Sequence, residues 1–95
     1  MLNEVILVGR LVDDLKQIKK PPEKITIETI RGYKNANGLY DSDLIEVQIW
    51  RGISQTLMYQ AHQGSLITIK GRLEQNQTKM EIVAEKVSLL DSYVS

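Results

Sequence analysis

The chain has 95 residues, which suits one small domain over 1–95 built around one hydrophobic core. It has no cysteine and a single histidine, His62, which excludes a disulfide framework, thiol chemistry and cysteine- or histidine-rich metal sites. Twelve basic and twelve acidic residues give a net charge of zero, so the positive excess that most simply marks a phosphate binder is missing.

No apolar run approaches the ~18 residues of a membrane span. The start, Met1-Leu2-Asn3-Glu4, also lacks the basic flank of a targeting segment. The expected location is therefore the cytoplasm, with no membrane partner. The charge is less even than its sum. Lys16, Lys19, Lys20, Lys24, Arg31 and Lys34 fall close together, opposed there only by Glu23 and Glu28. A solvated loop has the same composition, so this cluster permits an anionic ligand without requiring one.

In chain order, Val5-Ile6-Leu7-Val8 is continuously apolar and reads as a strand covered on both faces. Gly9 interrupts it before Arg10-Leu11-Val12, the place for a bend or bulge that would curl a sheet into a barrel. Lys19-Lys20-Pro21-Pro22-Glu23 is a loop, because two prolines cannot donate to a ladder. Residues 24–30 alternate and are rich in β-branched side chains, the pattern of a second strand. Asn37-Gly38 supplies the turn of residues 34–38. Residues 44–50 form the third strand. One helix follows, with Ser54 as its expected N-cap, Ile53, Leu57 and Ala61 on one face, and Gly64 as a left-handed C-terminal cap. Residues 66–73 and 80–90 are the last two strands, joined by the polar hairpin 75–78.

Three strands, a helix and two strands predict an all-β, five-stranded OB-fold, a Greek-key barrel with one short helix between strands 3 and 4. A flat α+β sheet with one helix is the competing arrangement. Fold alone does not define function, so the site needs its own argument.

The third strand carries that argument. With a period of two, Ile45, Val47 and Ile49 share a core face, while Leu44, Glu46, Gln48 and Trp50 share a polar one. The chain's one tryptophan is therefore out of phase with its hydrophobic set. An aromatic on a polar sheet face suits stacking of nucleobases, worth ~1–3 kcal/mol per base at any sequence. A twist at the strand end would instead turn Trp50 into the core. Strict alternation puts Tyr33 in phase with Ile25 and Ile27, so only a bulge near Gly32 would aim it at the same face as Trp50. The candidate cations for phosphate are Arg10, Lys19, Lys20, Lys34, Arg51, Lys70 and Arg72. Each fits an ordinary polar outer position equally well. His62 reads as a surface residue near the helix C-terminus, and Asp13, Asp14, Asp41 and Asp43 as solubilising loop residues. No phosphate loop, nucleophile–base pair or catalytic carboxylate pair is present, so neither an enzyme nor a cofactor is expected.

Taken together, three segments resemble the bacterial single-stranded DNA-binding protein family over nearly the whole chain. They are Asn3 through Leu11, Asp43-Leu44-Ile45 with Ile49-Trp50-Arg51, and Gly64-Ser65-Leu66 with Lys70-Gly71-Arg72-Leu73. The resemblance implies an OB-fold, single-stranded DNA as ligand, assembly through the first strand into a homodimer or tetramer, and a cytoplasmic, nucleoid-associated protein of replication, recombination or repair. It matches Trp50 to a stacking aromatic and Tyr33 to a second aromatic position. Leu44 stands where the family has a ring, Gln63 replaces a basic residue, and the 74–79 hairpin is short. The sequence ends at Ser95 without the linker and acidic tail of the family. These departures also suit the related primosomal replication branch, short dimers that join replication-restart proteins on single strands. A third reading is a barrel for protein contacts with little DNA binding.

Overall fold

The computed structural model describes residues 1–90. Five strands, β1 (Val5–Leu11), β2 (Lys24–Lys34), β3 (Tyr40–Gln48), β4 (Leu66–Asn76) and β5 (Lys79–Leu89), close into a barrel in the order β1-β2-β3-β5-β4. One helix, α1 (Arg51–Gln60), joins β3 to β4, and a 3-10 turn, Leu15–Gln17, follows β1. This is the OB-fold.

Closure depends on two unusual joints. β1 pairs with β4 through Val5–Arg10 and passes to β2 at Arg10 and Leu11. β3 meets β5 in parallel over only Val47↔Ile82 and Gln48↔Val83. Inside lie Leu11, Ile25, Ile27, Val47, Ile67 and Ile69, nearly all inaccessible to water. Ile53, Leu57 and Ala61, one face of α1, close the barrel end together with Leu15. Each such aliphatic contributes about 1.5–3 kcal/mol by leaving water.

Several expectations are corrected. Gly9 makes no bulge, since the β1–β4 register runs unbroken past it. Its role is close approach: a Cβ there would lie 2.5 Å from the Glu28 carbonyl oxygen, where β1 crosses onto β2. The register shift of that side of the barrel falls instead in β4–β5, between Lys70 and Gly71. β1 is covered on one face only, with Ile6 and Val8 at 65% and 50% exposure.

The helix begins earlier than its sequence suggests. Trp50 is the N-cap residue, and its carbonyl accepts the Ser54 N–H at 3.0 Å. Ser54 is therefore inside the first turn, fully buried, and its hydroxyl has no partner among the described residues. Ala61 ends α1. Gly64, at φ 91°, serves the next turn, closed by the Ser65 N–H on the His62 carbonyl at 3.0 Å.

The acidic pairs are structural. The Asp13 carboxylate accepts the Thr26 N–H at 2.6 Å, and Asp14 caps the 3-10 turn through the Lys16 N–H. Asp41 and Asp43 lie within β3.

Candidate nucleic-acid interface

The β3 ladder stops at Gln48, and the chain leaves it through Ile49, whose N–H donates to the Glu23 carbonyl at 2.9 Å. Ile49 stays in the core. Trp50 follows in extended conformation (φ −98°, ψ 166°) as the helix starts, with its side chain 56% exposed. The phase argument is thus upheld, for an added reason: the strand-to-helix junction holds the residue outside the barrel.

The indole forms a wall of two clefts. A small one, about 160 Å³, lies against α1 and β5 and includes Gly52, Ile53, Leu57, Val87 and Leu89. A larger, open one of about 650 Å³ lies toward the 19–23 loop, with Lys20, Pro21, Pro22, Gln48 and Arg51 around it.

Ion pairing sorts the candidate cations. Lys19, Lys20 and Arg51 make no salt bridge among the described residues, and two of them line the larger cleft. Lys70 binds Glu4 at 3.4 Å, and Arg72 bridges Glu74 and Glu85 at 2.8 and 3.6 Å. Arg10 donates to the Gly64 carbonyl at 2.9 Å. Lys34 sits 5.9 Å from the Tyr40 ring centroid, a cation–π contact at the far end of β2. Arg31 is taken up by Asp43 and Asp41. The guanidinium, by hydrogen bond and charge, holds the Asp43 carboxyl below its usual range.

Trp50, Arg51, Lys20 and the adjoining Lys19 therefore form one group. Tyr33 and Lys34 lie at the other end of the β2–β3 arm. There the register shifts between Ile30 and Lys34, and Tyr33 is exposed along with the rest of that strand end. Arg10, Lys70 and Arg72 belong to the β1 and β4 strands. Two features escaped sequence reasoning. As ladder breakers Pro21 and Pro22 point only to a loop, yet they line the cleft. Gly52, directly under the indole, gave no signal beyond being a glycine at the start of a helix.

A second surface is apolar. Ile6 and Val8 of β1 are exposed, as is Ile30 of β2 at 72%. Val8 and Ile30 share a depression with Gly9 and Leu66. Among the described residues no helix is long and apolar enough to cross a membrane.

The exposed tryptophan with Lys20 and Arg51 beside it marks this end of the OB barrel as a candidate binding surface. Residues 2–90 match the model of the single-strand binding protein family. The single-stranded DNA-binding protein 2 of Streptococcus agalactiae serotype V is 33% identical over 104 residues, covering 97% of this chain and 79% of that protein. The single-stranded DNA-binding protein 1 of Lactococcus lactis subsp. lactis is 35% identical over 106 residues, covering 97% and 70%. The chain belongs to the single-strand binding protein family.

Solved structures agree in fold. A deletion mutant of the single-stranded DNA binding protein from Thermus aquaticus has TM-score 0.64 at 19% identity, over 94% of this chain and 50% of that one. A Plasmodium falciparum SSB in complex with ssDNA has TM-score 0.63 at 19% identity, over 94% and 93%.

Proposed function

We propose that this chain is a single-stranded DNA-binding domain without sequence preference, stacking bases on Trp50 and holding phosphates with Lys19, Lys20 and Arg51. The observation that carries this is an exposed indole beside cations that make no ion pair among the described residues. Family membership and the ligand named for the relatives support the same reading. Stacking tolerates any base because every base has a π-face. Titration with oligo-dT at several salt concentrations, read by Trp50 fluorescence, tests it. Strong quenching is expected, with a log–log salt slope of about −2, from roughly 0.7 per phosphate contact for three cations. A folded protein showing no quenching at low salt would overturn the reading.

The apolar face of Ile6, Val8 and Ile30 supports assembly into a homodimer through β1, since monomers rarely expose large contiguous apolar patches. The cellular setting that follows is replication, recombination or repair in the cytoplasm, at the nucleoid. A second reading, an adaptor for replication-restart proteins, is favoured by one observation: Lys24, Arg31, Lys70 and Arg72 are already committed to internal ion pairs. That leaves a short DNA surface.

A further inference from the structure

We propose that Gly52 is a positioning residue for base stacking: it seats the Trp50 indole against the start of α1, as one wall of a slot for a nucleobase in the cleft that Trp50 shares with Pro21 and Pro22. This rests on the single-stranded DNA reading and adds to it the walls of one subsite.

Gly52 is the starting point. It occupies the first turn of α1, where a glycine adds backbone freedom and no side-chain contact to the helix. Its backbone does not demand glycine either, because positive φ among the described glycines is confined to Gly38 and Gly64. Space does. A Cβ on Gly52 would overlap Cζ3 of Trp50 and lie 2.8 Å from both Cε3 and Cη2. The atoms in the way are the far end of an exposed side chain, so an alanine would displace the ring and leave the helix intact. The missing side chain is what lets the indole lie against the start of α1.

With the ring held there, the larger cleft has a fixed aromatic wall. Pro21 and Pro22 line the same cleft, both half-buried, and their locked φ makes that part of the lining stiff before any ligand arrives. Lys20 and Arg51 stand at the same cleft. A flat apolar body with negative charge at its ends is the ligand such a lining accepts, and a nucleotide in a single strand is that body. Glu23 also borders the cleft and repels phosphate there, which directs the backbone toward Lys20 and Arg51.

The test uses Gly52→Ala, Trp50→Ala and their combination, with a Pro21→Ala/Pro22→Ala variant for the proline part of the lining. Free-protein tryptophan emission and thermal midpoint are measured first, then affinity for a short, end-labelled oligo-dT. Gly52→Ala should keep or raise the midpoint, shift the emission of the free protein, and weaken binding roughly three- to tenfold, a fraction of a whole stacking contact. In the Trp50→Ala background it should weaken binding no further. The proline variant should also weaken binding. Unchanged emission and affinity in Gly52→Ala, or the same loss with and without Trp50, would overturn the seat. Unchanged affinity in the proline variant would overturn the slot. Wild-type protein that ignores oligo-dT would overturn the DNA reading and the slot together, while emission of the free protein would still decide whether Gly52 seats the ring.

Discussion

The Arg31 guanidinium grips Asp43 with two hydrogen bonds, Nε to Oδ2 at 3.1 Å and Nη2 to Oδ1 at 2.8 Å. The pair lies between β2 and β3 as a diagonal contact, Arg31 standing two residues beyond Thr29, the register partner of Asp43. The basic residue central to the 16–34 cluster is thereby neutralised within its own hairpin. Arg31→Ala should leave oligo-dT affinity unchanged, whereas Arg51→Ala should lower it and reduce the salt slope by about 0.7. Equal losses from both variants would show that Arg31 is available to phosphate after all.

The same pair makes a pH prediction. Arg31 lowers the Asp43 pKa in the folded state. The contribution is therefore complete above the ordinary aspartate value of about 3.9 and disappears as pH falls through the lower folded value. Carboxyl NMR should show Asp43 titrating below its ordinary value, and Arg31→Ala should move it upward. Both groups are largely exposed, so the effect on stability is small.

Ser54 offers the opposite case, a polar atom that the fold would do better without. Its hydroxyl is buried with no partner among the described residues. Ser54→Ala removes a desolvation cost of about 1–3 kcal/mol, offset in part by a small void. The denaturant midpoint is expected to stay level or rise. A clear fall would reveal a hydrogen bond that the hydroxyl makes.

Gly9→Ala should destabilise the barrel by about 1–3 kcal/mol, the range for overpacking. The atom in the way is the Glu28 carbonyl oxygen, backbone that cannot swing aside. Thermal or urea unfolding checks this, and an unaffected variant would mean that the β1–β2 crossing has room to spare.

The apolar β1 face predicts its own disruption. Ile6→Asp with Val8→Asp should convert a dimer into a folded monomer, because both side chains already point away from the core. Light scattering reads the mass and circular dichroism the fold. A wild-type monomer at high concentration would contradict the dimer.

The features legible in the sequence were those governed by local periodicity. Alternation through Ile45, Val47 and Ile49 placed the core face of β3, and the same count exposed Trp50. A register shift falls between Ile30 and Lys34, around the Gly32 at which the sequence leaves a bulge open. What was not legible depends on a second element. Ser54 looks like an N-cap by residue type, but the β3–α1 junction gives that place to Trp50 and sinks Ser54 into the barrel end. Gly9 reads as a bulge until β2 is seen crossing it. Asp13 reads as a loop carboxylate until the Thr26 N–H meets it. The unbroken apolar run of β1 implies cover on both faces, whereas among the described residues Ile6 and Val8 stay exposed.

The central claim is that Trp50 is the stacking platform of a folded single-strand binder. Affinity of Trp50→Ala for a labelled oligo-dT, measured beside its thermal midpoint, tests this most directly. The account predicts an unchanged fold and a loss of roughly 1–3 kcal/mol in binding, the value of one base stacked on an aromatic. Unaltered affinity, or a variant that no longer folds, would contradict it.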